Sequence, residues 1–139
     1  MIQQLKQFHR YQRKFSSQST LEVVLKSYAG VGNKVDPTIF ETRSVPQDED
    51  SFFQPIEKGH IKLKTIALSV DPFMRCMLDP DHPQLGEYLE PLKLNEPLHG
   101  GGIGHVIESD HKDFPVNSIV VAPFLGYPWQ TNCVLNAAD

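Results

Sequence analysis

The sequence predicts a mainly β protein: a small β-barrel with short helices and no long one. Three observations point there. Apolar and polar residues alternate over short runs instead of recurring at helical spacing. Eleven Pro and nine Gly among 139 residues divide the chain into many short elements. The longest strand candidate changes phase partway, the mark of a bulged and strongly curved strand. A chain of this length closes one modest core.

Leu21 to Tyr28 alternate, with Leu21, Val23 and Leu25 on one face and Glu22 and Lys26 on the other, giving a half-buried first strand. Ala29 to Asn33 is a Gly-containing turn, and Ile39 to Arg43 a second short strand. Val45 to Gly59 reads as an acidic, Pro-punctuated connection in which Asp48, Glu49 and Asp50 face solvent. His60 to Val70 is the longest candidate: Ile61 and Leu63 share one phase, Ile66, Leu68 and Val70 the other. Asp79 to Pro97 is polar and Pro-rich, with a short helix expected over Leu85 to Leu89. His99 to Ile107 reads as a glycine turn leading into a strand. Ser118 to Phe124 is a buried strand disrupted by Pro123, Leu125 to Trp129 an aromatic loop, and Thr131 to Leu135 a last strand.

Charge is unevenly placed. Lys6, Arg10, Arg13 and Lys14 lie in a first stretch free of acids, leaving nine basic against seventeen acidic groups in the remainder. So acidic a body argues against nucleic acid, which selects clustered basic surface. Residues 1–20 form a basic N-terminal extension, either a mitochondrial presequence with a processing site around Arg13 to Ser16 or a disordered tail without an address. The expected location is the cytoplasm, with mitochondria as the alternative if the extension directs import. Cys76 and Cys133 form no CxxC pair and are expected to be free thiols. No apolar run approaches the ~20 residues of a membrane span.

Two stretches carry candidate chemistry. In ALSVDPFMRCML, residues 67–78, an apolar run stops at Asp71-Pro72, where Asp71 can cap a helix that starts at Pro72 and displays Phe73. On pattern alone such an element reads first as closure of a core, with a pocket wall as the alternative. In His99 to Ile107 the glycines do not form a dinucleotide fingerprint, because Ile107 stands where the third Gly belongs and the following residues are strand-like. Missing side chains there allow another backbone or a ligand to approach closely. His99, His105 and His111 lack the partners and spacing of a zinc site, so no metal is assigned. Cys76 beside Arg75 has no third group to orient a nucleophile and is read as packing.

Taken together and in order, ALSVDPFMRCML, GGGIGHVIES and PWQTNCVL resemble the N-terminal domain of the zinc-independent medium-chain dehydrogenases/reductases, and the likeness runs from about Leu21 to the end. The resemblance implies a GroES-like barrel over residues 21–139, normally followed by an NADP-binding Rossmann domain that this chain does not contain. It implies reduction of the carbon–carbon double bond of α,β-unsaturated ketones such as 15-oxo-prostaglandins, by hydride from NADPH and without a metal. Matched by motif, the substrate contacts fall on Phe124 and Leu125, where the family's Phe-Tyr pair is Phe-Leu. With the loop one residue longer, Tyr127 is expected to take over the aromatic position. The family's DPYMR tyrosine matches Phe73, implied to face both substrate and nicotinamide; the lost hydroxyl removes a hydrogen bond worth roughly 0.5–1.5 kcal/mol. No catalytic residue is assigned within the chain, and alone it is expected to be inactive. The competing reading is a non-catalytic barrel that binds a lipid-like ligand or a protein, with exposed apolar surface open to self-association.

Overall fold

The computed structural model describes residues 19–137 except 31, 87 and 88. The presequence and processing-site reading of the N-terminal extension falls almost wholly outside these residues. Six strands follow in order: β1 (Thr20–Leu25), β2 (Phe40–Val45), β3 (His60–Leu68), β4 (His99–Ser109), β5 (Ile119–Pro128) and β6 (Asn132–Asn136). Strands β1 and β2 form an antiparallel pair, and the others a four-stranded sheet in the order β5-β4-β3-β6. The protein is mainly β, as the turn-rich sequence predicts. The longest described α-helix is the single turn α1 (Met74–Met77).

Strand β1 joins the two sheets. Its backbone exchanges bonds with two crossing segments, Leu98 N–H to Val23 O at 2.9 Å and Val23 N–H to Trp129 O at 3.0 Å. Leu25 is buried and Val23 half-buried as expected, but Thr20, Glu22 and Val24 of the other face are buried as well, and Leu21 is 41% exposed. Burial of Glu22 is tolerated because Arg43 Nε donates to one carboxylate oxygen at 2.7 Å and Gln130 Nε2 to the other at 2.9 Å. A pattern of residue types alone could not supply those partners.

The phase change in β3 is present. Its pairing with β4 slips between Lys62 and Leu63 and again between Thr65 and Ala67. Ile61 and Leu63 are buried, whereas Ile66 and Val70 of the second phase lie exposed and only Leu68 packs partly against the core. Two apolar clusters result. One gathers Leu25, Ile39, Met77, Leu78, Leu92 and Leu98 beneath β1 and α1; the other gathers Ile61, Leu63, Val106, Val120, Tyr127 and Cys133 within the curled sheet. Both cysteines are free and buried.

Other expectations are corrected. Asp50 is buried, and its carboxylate accepts from Phe52 N at 3.0 Å to cap the 3-10 turn Ser51–Phe53; only Asp48 and Glu49 face solvent. In place of a helix over Leu85 to Leu89, Gly86 and Leu89 make an antiparallel bridge. The glycines 100–102 lie inside β4, not in a turn before it. Strand β5 passes through Pro123, because edge strands tolerate a residue without a donor.

Candidate functional site

Beyond Leu68 the chain leaves β3 but stays against β4, with Ser69 N donating to Gly101 O at 2.8 Å. A Cβ on Gly101 would lie 3.3 Å from the Ser69 side chain, and one on Gly100 would meet the Ser69 carbonyl at 3.3 Å and Trp129 Nε1 at 2.9 Å. The glycines therefore let a strand end and an indole settle on β4, the close approach their spacing suggests.

Asp71 does not act as a side-chain helix cap. Its backbone carbonyl accepts from Met74 N at 3.0 Å, while Oδ2 accepts from Ser69 Oγ at 2.8 Å. The helix starts at Met74, two residues later than Pro72, and Phe73 before it makes no side-chain cap bond. Helix α1 buries Met74, Cys76 and Met77. Arg75 donates to Gly30 O and Asn33 O at 2.9 and 2.8 Å, holding the Gly-rich turn. Cys76 Sγ bonds Gln84 Oε1 at 3.0 Å within buried surroundings, in keeping with its packing role. So anchored on both sides, Phe73 is held half-buried at the rim.

Opposite it, β5 carries a wide bulge. Gly102 pairs with Ala122 and Gly100 with Tyr127, so the residues from Pro123 to Gly126 all face Gly101 alone. Phe124 at its tip has φ 58°, a left-handed conformation that a bulky side chain seldom adopts. This turn lays its ring on that of Phe73, with centroids 4.6 Å apart and planes inclined by 27°. Leu125 turns inward to pack with Phe73 and Trp129 against the first cluster. At the neighbouring start of β4, burial lowers the pKa of His99, partly offset by the Glu96 charge and a hydrogen bond with the Leu125 backbone.

Between the β3 end and the bulge runs an open groove of about 490 Å³. Its walls are Ala67, Leu68, Gly101, Gly102, Ile103, Val121, Ala122, Pro123 and Phe124, with Ser69 and Asp71 as polar members. The structure thus brings Phe73, Phe124 and Leu125 together, with Phe124 lining the groove and Phe73 and Leu125 packed against the first cluster.

Tyr127 does not join them. It is fully buried in the second cluster, its ring lying over Gly102 and its hydroxyl near Gly104. The expectation that it replaces the family's aromatic contact fails, because the bulge consumes the extra residue and returns Tyr127 to the inward phase of β5. Its hydroxyl lies 3.0 Å from Thr65 Oγ1, which itself donates to Gln130 O. With the Thr65 proton so committed, Tyr127 is the donor of that pair. Burial raises the Tyr127 pKa and pushes the Cys133 thiol up to about 11, so both stay protonated near neutrality.

Motif reading gave Asp71 only a capping role and gave none to Ser69 in the groove wall or to Trp129 beside Gly100. Only the Trp-Gln dipeptide and the glycine stretch hinted at them, since their contact depends on strand register.

Among the described residues, no three His, Cys, Asp or Glu side chains gather as a metal site would require. The glycines of β4 lie in extended strand and do not open a helix, so they form no phosphate cradle of the dinucleotide type. Phe124, half in solvent, and the groove that it lines are the accessible apolar surface of the site.

Residues 37–139 match the family model described as the N-terminal domain of oxidoreductase. The chain is 36% identical over 93 residues to the NADPH-dependent curcumin reductase of Escherichia coli, covering 66% of this chain and 24% of that one. It is 31% identical over 98 residues to prostaglandin reductase 1 of Sus scrofa, covering 70% and 24%. The crystal structure of CurA from Vibrio vulnificus superposes with TM-score 0.64 at 25% identity, over 84% of this chain and 30% of that one. CurA in complex with NADPH superposes at 0.62, with the same identity and coverage. The chain thus spans about a quarter of the length of these curated relatives. With its mainly β fold, its glycine-lined groove and the match over residues 37–139, the chain belongs to the oxidoreductase N-terminal-domain family of the medium-chain reductases.

Proposed function

We propose that this chain is the substrate-side domain of an NADP-dependent reductase of the carbon–carbon double bond of α,β-unsaturated ketones, with 15-oxo-prostaglandins as its substrates. The single observation that carries this reading is the match of residues 37–139 to the oxidoreductase N-terminal domain, to which the fold adds an apolar groove lined by Phe124 with Phe73 stacked on it. NADPH, when bound, supplies a hydride for the enone. Phe73 would lie against the nicotinamide and the substrate, Phe124 and Leu125 against the substrate's apolar body. Their contribution is to orient two flat π systems face to face and to keep water from the reacting carbons. A partner domain that carries the cofactor phosphates would complete the site.

It follows that residues 1–139 by themselves do not turn over. Mixing the purified chain with NADPH and an enone should leave NADPH absorbance unchanged, and multiple-turnover loss would overturn this point. Supplying the chain together with a cofactor-binding domain of the family should restore enone-dependent oxidation of NADPH. If it does not, the reductase reading itself fails. The proposed location is the cytoplasm, with mitochondria as the alternative. N-terminal sequencing of the native protein tests import with cleavage, which gives a mature start near Ser16, whereas an intact Met1 speaks against cleavage.

A second reading rests on exposed apolar side chains. Val70 is 79% exposed and Val121 64%, next to Phe124 at 53%. A non-catalytic barrel would use that surface for a lipid-like ligand, for a protein, or for a second copy of itself. Concentration-dependent sedimentation of the chain distinguishes self-association from the monomer.

A further inference from the structure

The groove contains one ionisable side chain, and nothing in the enone reading above gives it work. Asp71 lines the groove among Ala67, Leu68, Ile103, Val121 and Phe124, with the hydroxyl of Ser69 as its polar neighbour. The carboxylate is held in place: Ser69 Oγ donates to Oδ2 at 2.8 Å, and Ser69 is itself fixed to β4 through its backbone bond to Gly101 O. A carboxylate has about four acceptor positions, and the Ser69 bond occupies one of them. Two consequences follow. A neutral hydroxyl arriving in the groove finds a charge-assisted acceptor beside apolar walls. An arriving carboxylate meets like charge.

We propose that Asp71, oriented by Ser69, is a specificity-determining acceptor that selects ligands bearing an alcohol or phenol hydroxyl and disfavours those presenting a carboxylate at this end of the groove. The proposal rests on the enone reading for its ligand class. It differs from the Phe73–Phe124 face, which recognises shape and flatness and does not distinguish a hydroxyl from a hydrogen. Removing the carboxylate does not disturb the turn into α1, because the bond from Met74 N is accepted by the Asp71 backbone.

The test uses the 139-residue chain and three probes: benzylideneacetone and its para-hydroxy and para-carboxy forms. Affinities are read from amide shifts of Ser69, Gly101 and Gly102 at low salt. The para-hydroxy probe should bind about five- to tenfold more tightly than the parent, and the para-carboxy probe less tightly. Asp71→Ala should erase both differences. Asp71→Asn should keep part of the hydroxyl preference through its amide oxygen and relieve the carboxylate penalty, a split that no general loosening of the fold produces. Equal affinity for parent and hydroxy probes, an unchanged preference in Asp71→Ala, or binding of none of the three overturns the subsite. Turnover in the presence of a cofactor-binding domain is scored separately, so the reductase reading can stand while the subsite falls.

Discussion

Gly102 and Tyr127 are a single packing unit: a Cβ on Gly102 would stand 2.3 Å from Cγ of the Tyr127 ring and 2.6 Å from Cδ1. Both residues belong to paired strands, and the aromatic fills the space the glycine leaves. Gly102→Ala forces the ring out of the second cluster, and overpacking of this kind costs about 1–3 kcal/mol or more. Urea unfolding should show that loss. Gly86→Ala is the matched control, since nothing lies within 4 Å of its added Cβ, and it should leave stability nearly unchanged.

The buried Tyr127 and Cys133 make the fold sensitive to alkali. Cys133 is raised from its ordinary 9.0 to about 11, so above pH 9 the unfolded chain gives up a proton that the folded one keeps. Stability is then full below pH 9.0 and declines as pH rises toward about 11, and Tyr127 adds to the decline above its ordinary 10.0. The loss from Cys133 between pH 9 and 10 is on the order of 1 kcal/mol. Cys133→Ala should flatten that part of the profile, though it is less stable at neutral pH for the volume it removes. An unchanged slope would contradict the assignment to Cys133.

Much of this architecture is legible in the sequence, and the exceptions share one cause. Strand number, the slip within β3 and the close approach at the glycines follow from local pattern. The burial of Glu22 and of Asp50 and the inward course of Tyr127 do not. Glu22 turns inward only because Arg43 and Gln130, far away in the chain, reach its two oxygens. Tyr127 points inward because a bulge opposite Gly101 resets the phase of β5. Phe73, Phe124 and Leu125, singled out by their motifs, do meet in the fold. Asp71 was singled out only as a cap and Ser69 not at all, since the register of the chain against β4 is what makes them neighbours of the groove.

The Glu22 contacts give a third prediction. Glu22→Ala leaves Arg43 and Gln130 without their shared acceptor and loosens the corner that carries Trp129. A cost of about 1–3 kcal/mol is expected, toward the lower end because the Arg43 side chain is 41% exposed. Glu22→Gln retains one acceptor and should recover part of it. Equal unfolding midpoints for wild type and both variants would refute the clamp.

Phe124 sits at φ 58° with its ring half in solvent, a combination that stability alone does not favour. Phe124→Gly relieves backbone strain of roughly 1 kcal/mol while losing a stack worth about 0.5–1.5 kcal/mol, so its net effect on unfolding should be small. Its effect on enone reduction, measured with a cofactor-binding domain present, should be a raised KM. A stability loss of several kcal/mol, with KM untouched, would make the stack structural instead.

The account stands or falls on Phe73 as the wall against which enone and nicotinamide are held. The direct measurement is kcat/KM for enone reduction by this chain in company with a cofactor-binding domain, comparing wild type, Phe73→Leu and Phe73→Ala, alongside their melting temperatures. The account predicts that Phe73→Ala loses about tenfold or more in kcat/KM, equivalent to ~1.4 kcal/mol, with Phe73→Leu intermediate and both variants folded. Full activity in a folded Phe73→Ala variant would contradict it.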